Sequence, residues 1–475
     1  NNIKRDLIFK FLYISSIIIF IIGIFQFLGH DPFKAEIIKK LIIPKQYADM
    51  AQNILYPDDP SASFRNSIYS TLYNSNVFGV YAALIAVFAL TGAIFEDTAK
   101  RKILPLTSMA LAIFSLINCY SRGAYFGGFI GIIVVITLTL KEFKLYYKSI
   151  ILCLLCIAIS VLPAILTGNG KFVERLSTID VNSQDSSTGV GERIKDFKIK
   201  NSHLTLFFDN RCLNIQKKGG ELIFTDTVGK VLTLDYSKKD EGYVINAENY
   251  RDFIVFADKD KLYIKKKNAL LRFNIKNDTF IFSDMSGNDA NIKPVESWLF
   301  NGRERLASGR GYIWSRALPL IKNNIFIGSG PDNFYYSFPQ DDFLGKLKFM
   351  YNAYIKIDMA HNIYLQKAIE TGLISLIFFI GIILYPFIIG LKALFISRGE
   401  NKSSEIIGKA NEINGAKENN SAKASNCKKN NLSISLIGII VVYCVCGFFT
   451  DENICTMVVF WPMIGLLMDN KEKSF

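Results

Sequence analysis

His361 stands just before a long apolar run, in Ala360-His361-Asn362-Ile363-Tyr364-Leu365-Gln366. An imidazole at a membrane boundary titrates near neutral pH and can take a proton from a hydroxyl; the plain alternative is a structural histidine. Arg122, in Tyr120-Ser121-Arg122-Gly123, closes one apolar run as the next begins. So short a turn cannot carry the guanidinium far from the membrane, where ionisable groups are costly and tend to be functional or paired. The alternative is snorkelling to the headgroups. In Ser308-Gly309-Arg310-Gly311-Tyr312-Ile313-Trp314-Ser315-Arg316-Ala317-Leu318, the spacing of Ile313, Trp314, Ala317 and Leu318 predicts a helix with one apolar face. Such a helix could lie on the membrane surface, with Arg310 and Arg316 near headgroup level. Gly328-Ser329-Gly330-Pro331-Asp332-Asn333 reads as a tight turn; no Lys follows at the spacing of a phosphate-binding P-loop. Metal chemistry is not indicated: the three histidines are far apart, no Asp-x-Asp has apolar flanks, and Asp58-Asp59 and Asp341-Asp342 sit in irregular polar loops.

The elements that must position these residues are membrane spans. Half of the 475 residues are hydrophobic, and the mean hydropathy is +0.24. The apolar residues gather in runs long enough to cross a roughly 30 Å hydrocarbon core as helices. About eight spans are expected, near residues 8–29, 72–95, 103–120, 123–140, 149–167, 363–391, 432–450 and 454–468. The net charge of +13 could suggest nucleic acid, but the bases cluster in short loops between the runs. Lys4, Arg5 and Lys10 precede the first span, Lys100, Arg101 and Lys102 follow the second, and Lys141, Lys144 and Lys148 follow the fourth. Lys392 and Arg398 follow the sixth, and Lys471 and Lys473 end the chain. All five clusters can be cytoplasmic at once, which puts 30–71, 121–122, 168–362 and Asp451-Glu452 outside a cytoplasmic membrane. The chain opens on Asn1-Asn2, as expected of a trimmed or N-terminally shortened chain, and its first run reads as a span rather than a removed signal peptide.

Five regions follow: spans 1–167, the start of an extracytoplasmic loop at 168–200, a small all-β domain at 201–300, a catalytic loop at 301–362, and spans 363–475. The last contains a cytoplasmic loop at 399–431, rich in Asn, Lys, Ser and Glu and expected to be disordered. In the β region Leu204–Phe208, Val231–Tyr236, Ile254–Phe256, Leu262–Ile264, Leu271–Ile275 and Phe280–Phe282 read as strands. Turns are expected at Gly219-Gly220, Val228-Gly229-Lys230, Asp258-Lys259-Asp260 and Lys276-Asn277-Asp278. A sandwich or rolled meander is expected, serving to bind glycan or cell-wall polymer or simply as a spacer. Cys153 and Cys156 form a C-x-x-C inside an apolar run, read as small buried residues.

Taken in order, Ser121-Arg122-Gly123 at a span boundary, a large outer loop, R-x-x-x-W from Arg310 to Trp314, G-x-G-x-x-N-F from Gly328 to Phe334, H-N-x-x-L-Q from His361 to Gln366, and Glu370-Thr371-Gly372-Leu373 resemble the O-antigen ligase/polymerase family. The resemblance covers roughly 105–200 and 300–395. It implies a GT-C-type helical membrane glycosyltransferase using neither metal, nucleotide sugar nor other cofactor. The implied donor is a glycan on a polyprenyl diphosphate in the bilayer, and the acceptor a glycan, lipid or protein. The family's essential histidine matches His361, and its two essential arginines look like Arg122 and Arg310, with Arg303 and Arg305 as competitors for the second. Arg316, Trp314 and Asn362, in the same motifs, are candidates for holding substrate. The chain departs from the family in its smaller number of spans and in the β insertion before Arg310, which puts a lipopolysaccharide-core acceptor in doubt. Ligation and polymerisation share this chemistry. A lipid-linked glycan flippase would show paired repeats and broken helices at the midplane, and a sensor would give no reason for Arg122, Arg310 and His361 together.

Overall fold

The computed structural model describes residues 2–35, 68–167, 194–412 and 420–468, apart from positions 73, 142, 201, 209, 267 and 268, together with positions 38 and 172. Most of the expected loops 30–71 and 168–200, Asp58-Asp59, Lys471 and Lys473 lie outside the described residues. In chain order the main helices are α1 (Asn2–Phe27), α2 (Ser75–Phe95), α3 (Ala99–Asn118), α4 (Arg122–Leu140), α5 (Phe143–Thr167), α6 (Leu306–Ala317), α7 (Phe343–Met350), α8 (Ile363–Glu370), α9 (Gly372–Glu412), α10 (Asn420–Gly447) and α11 (Ile454–Met468). The chain divides into two compact units: residues 1–178, 361–364 and 377–475 form one, and 179–360 with 365–376 the other.

The first unit is helical. Among the described residues five helical segments are long and apolar enough to cross a membrane: Arg5–Phe27, Ser75–Phe95, Arg122–Leu140, Leu145–Leu166 and Gly372–Ile396. Asn431–Gly447 and Ile454–Met468 are apolar but shorter, and α3 is less apolar, with Lys100, Arg101 and Lys102 in its first turn. Helix α2 is central and buried on nearly every side. Along α4, Gly123, Gly127 and Gly131 recur every fourth residue and let the backbone approach α10 and the loop after it. A Cβ at these positions would lie 2.6 Å from Phe449 Cβ, 2.3 Å from Cys446 Sγ and 2.4 Å from Val442 Cγ2. Thr91 and Ser435 join hydroxyls at 2.6 Å between α2 and α10, so this pair of buried polar groups satisfies itself.

The second unit holds two antiparallel meanders. Strands β1 (Asp196–Lys200), β2 (His203–Phe207), β3 (Cys212–Lys218), β4 (Glu221–Thr225) and β5 (Val231–Leu232) pair in sequence order, and β6 (Leu234–Ser237), β7 (Gly242–Ile245), β8 (Phe253–Asp258), β9 (Lys261–Lys266), β10 (Ala269–Lys276) and β11 (Thr279–Phe282) do the same. Alternate residues point inward, as the two-residue strand period requires: Leu204, Leu206, Leu213 and Ile215 from the first sheet meet Leu262, Ile264, Leu271 and Phe273 from the second. Asn277 and Asp278 both have positive φ, 49° and 59°, which suits a two-residue hairpin turn.

Four expectations are corrected. The strands run from 196 to 282 rather than filling 201–300, and their core is not self-contained. Leu347, Ala353 and Tyr354 belong to the same buried cluster; Tyr354 stacks on Phe282 at 5.7 Å and donates to Ser283 O at 2.9 Å. The sixth apolar run does not form one helix from 363. It breaks after α8, because Gly372 has a φ of +82° and a Cβ there would lie 2.1 Å from Phe326 O. Of the segment 399–431, expected without structure, 399–412 and 420–431 have helical backbone, and 413–419 lie outside the described residues. Scarcity of apolar residues argues against burial, whereas Lys and Glu are good local helix formers. Finally, the apolar face of α6 does not lie open for a membrane: Ile313, Trp314 and Ala317 are buried within the unit, because the indole N–H finds its partner there, donating to Ala360 O at 2.9 Å.

Candidate active site

In the first unit the chemistry gathers on the short loop between α10 and α11. Helix α10 ends at Gly447 against Tyr364, a Cβ there lying 3.4 Å from the Tyr364 ring. The Tyr364 hydroxyl donates to Cys444 O at 2.9 Å, and its ring packs on Phe448 at 4.8 Å. From the other side, Phe126 of α4 stacks on Phe449 at 6.2 Å. Asn453 restarts the helix by capping α11, accepting from Cys455 N at 2.9 Å. Asp451 is held between these anchors, and its Oδ2 lies 2.5 Å from His361 Nδ1. The other carboxylate oxygen, Oδ1, is buried and makes no hydrogen bond among the described residues.

This pairing fixes the histidine's chemistry. An ionised carboxylate only accepts, so the proton of the neutral imidazole sits on Nδ1 and Nε2 is left as the basic nitrogen. The histidine side chain stays 39% exposed, so Nε2 can meet a reactant. Its backbone is in the left-handed region, φ 50°, a conformation that costs a non-glycine residue about 1–3 kcal/mol and recurs at functional sites. Arg122 is the first residue of α4, directly before Gly123, which packs against Phe449 two positions from Asp451. His361, Asp451 and the Arg122 end of α4 therefore converge on one loop. Asn362, beside His361, is half-buried.

In the second unit the arginines divide. Arg310 follows three consecutive residues with left-handed backbone, Ala307 (φ 52°), Ser308 (64°) and Gly309 (88°), so the regular part of α6 begins at Arg310 itself. It is half-buried, and its guanidinium donates to Ala307 O at 3.1 Å. Arg305 lies over the Tyr351 ring at 5.7 Å, and Arg303 is exposed. Arg316, expected to hold substrate, is already engaged. Its Nε donates to Asp342 Oδ2 at 3.1 Å, with Glu304 at 4.0 Å and the Tyr312 ring at 4.7 Å. Asp342 also accepts from Tyr312 Oη at 3.0 Å and caps α7 through Gly345 N at 3.0 Å. Burial and the Asp342 carboxylate push the Tyr312 hydroxyl far above its usual range. Arg316 and Trp314 are thus both held by partners within their own unit. Trp314 secures Ala360, the residue one peptide bond before His361.

The remaining motifs bond to one another within the same unit. The last carbonyls of α8 need donors, and the G-x-G loop supplies them: Ser329 N to Ile369 O and Gly330 N to Glu370 O, both 2.8 Å. Glu370 accepts in turn from Phe334 N at 3.2 Å and Gln366 Nε2 at 2.6 Å, while burial raises its carboxyl above the ordinary range. Lys346, fully buried, donates to Gln340 O at 2.6 Å and Ile355 O at 3.0 Å. Desolvation, then Lys356, lower its pKa to about 8 against the pull of Asp342 and Asp341. No group of three or more His, Cys, Asp or Glu side chains is placed to hold a metal ion among the described residues.

Sequence reasoning missed Asp451 as a partner of His361. Its only signal was an acid at the outer end of an apolar run, 90 positions away. Residues 262–380 match the family model described as O-antigen ligase. Arg303, Arg305, Arg310, Trp314, Arg316, His361 and Asn362 fall inside the match, as do β10, β11 and nearly all of β9; Arg122 and Asp451 fall outside it. No curated protein and no solved structure matches the chain. Over residues 262–380 the chain is similar to the O-antigen ligase family.

Proposed function

We propose that this protein is a GT-C-type glycosyltransferase that moves a glycan from a polyprenyl-diphosphate carrier to an acceptor hydroxyl on the outer face of the cytoplasmic membrane. The observation that carries this reading is the His361–Asp451 pair, which leaves Nε2 basic and accessible at the end of an apolar helix bundle. The acceptor oxygen attacks the anomeric carbon as its proton passes to Nε2. The bond from that carbon to the diphosphate oxygen breaks, with inversion, and the carrier diphosphate leaves. Asp451 keeps the imidazole in the required tautomer and stabilises the imidazolium once formed. Arginine suits the diphosphate because its planar fork bonds phosphate oxygens in pairs, and such bonds strengthen as charge builds on the leaving oxygen. Arg122 enters this role through its place beside the Asp451 loop, Arg310 through its motif.

The test is transfer in proteoliposomes charged with a polyprenyl-diphosphate-linked oligosaccharide and candidate acceptors. Expected is a glycosylated acceptor, with losses in Arg122→Ala and Arg310→Ala at unchanged thermal stability. A ladder of product sizes would identify repeat-unit polymerisation, a single addition ligation. Donor crossing the bilayer with no product formed would overturn the assignment in favour of a flippase.

A further inference from the structure

The first unit encloses a cavity of about 860 Å³ at the other end of its helices from His361 and Asp451. It is lined by the C-terminal end of α2 at Phe95, the first turn of α3, and Leu432 and Ser435 of α10. The opposite ends of these elements, at Gly79, Cys119 and Gly447, neighbour the Arg122 turn and the Asp451 loop. From Leu432 to Gly447 at 1.5 Å per residue is roughly 22 Å, most of a hydrocarbon core.

The lining joins two chemistries. Arg5, Lys10, Lys100, Arg101 and Lys102 face it, against Asp6, Glu96 and Asp97. The walls include Phe9, Phe88, Phe95 and Leu104, and Leu145, which also lines the cavity, is 61% exposed on the outer surface of its helix. The bases outnumber these acids, and two features favour an anion. Helix α3 carries three bases and no acid in its first turn, where the helix dipole already disfavours cations and the free N–H groups suit an anion. Arg5 Nε is buried and has no hydrogen-bond partner among the described residues. A basic pocket between apolar helices, with a lipid-facing flank, matches a lipid phosphate better than a soluble anion.

We propose that this cavity binds the phosphate headgroup of an anionic glycerophospholipid, in the leaflet opposite His361. Arg5, Lys100 and Arg101 hold the phosphate, Lys102 is fixed by its hydrogen bond to Ser149, and the acyl chains leave past Leu145. This site is separate from glycosyl transfer and stands or falls independently of it.

Native mass spectrometry of the full chain in detergent tests this, titrating phosphatidylglycerol, phosphatidylcholine, a polyprenyl monophosphate and inorganic phosphate in turn. Expected is one phosphatidylglycerol bound at least tenfold more tightly than phosphatidylcholine. Removing a charge should weaken it about fivefold, so Arg5→Gln/Lys100→Gln/Arg101→Gln should abolish the preference. Lys141→Gln/Lys148→Gln, which removes exposed bases outside the cavity, should keep it. Lys100→Gln alone, at an exposed position, carries the test if the triple variant does not fold. Equal binding of the two phospholipids, unchanged binding in the cavity variants, or equal loss in the Lys141/Lys148 variant would overturn the site. Tighter polyprenyl phosphate, or displacement by inorganic phosphate, would overturn the ligand class.

Discussion

Two aspartates each pair with a basic side chain, Asp342 with Arg316 in one unit and Asp451 with His361 in the other, and the pairs do opposite things. Asp342 is nearly inaccessible, saturated by Arg316, Tyr312 and Gly345, and Arg316 is only 11% exposed. Asp451 makes one bond among the described residues, to an imidazole that is 39% exposed and keeps a second nitrogen. A closed pair fixes structure because both carboxylate oxygens are hydrogen-bonded and shielded from water. An open pair can do chemistry because capacity remains at an accessible atom. Motif membership alone did not separate them: Arg316 lies inside the family match and Asp451 outside it.

Breaking each pair should therefore fail in a different observable. His361→Ala should give the largest effect, a fall in transfer rate of about 10²–10⁴ with an unchanged thermal midpoint. Asp342→Ala strands a buried guanidinium, which costs about 3–5 kcal/mol, so the melting midpoint should drop before any change in intrinsic rate is read. Gly372→Ala should destabilise by at least about 1–3 kcal/mol, since the residue needs positive φ and its Cβ would meet Phe326 O; thermal unfolding reads it. The smallest effect sharpens the closed side. Lys346 titrates near 8 in the folded chain and near 10.4 when unfolded. Between those values the unfolded state binds more protons, so this group makes stability rise with pH. Melting curves from pH 7.5 to 10 should show that rise, flattened in Lys346→Met.

The helices were legible wherever the chain had to satisfy a membrane, because a long apolar run leaves few alternatives. The sheets were legible in part. The period of Phe273 and Ile275 against Arg272 and Asn274 reads as a half-buried strand. β3, by contrast, ends in Gln216-Lys217-Lys218, and β7 has only four residues, so neither stands out from a polar loop. The roles of the motifs were harder to read. Glycines at 328 and 372 and the acid at 370 are visible in sequence only as parts of motifs, and in the structure they dock a loop onto the end of α8. The apolar face of α6 looked like a membrane contact because sequence shows that a face is apolar, not what covers it. Asp451 was invisible as a partner because its pairing depends on how α10 packs on α4, a contact set by Gly123, Gly127 and Gly131 far away in the chain.

The most direct measurement is the single-turnover transfer rate of Asp451→Asn beside its melting midpoint. The amide keeps the shape but offers no carboxylate to hold the Nδ1 proton or steady the imidazolium. The rate should fall on the order of 10²-fold while the midpoint stays within a degree or two of wild type. A variant that transfers at the wild-type rate would contradict the claim that this pair makes His361 the base.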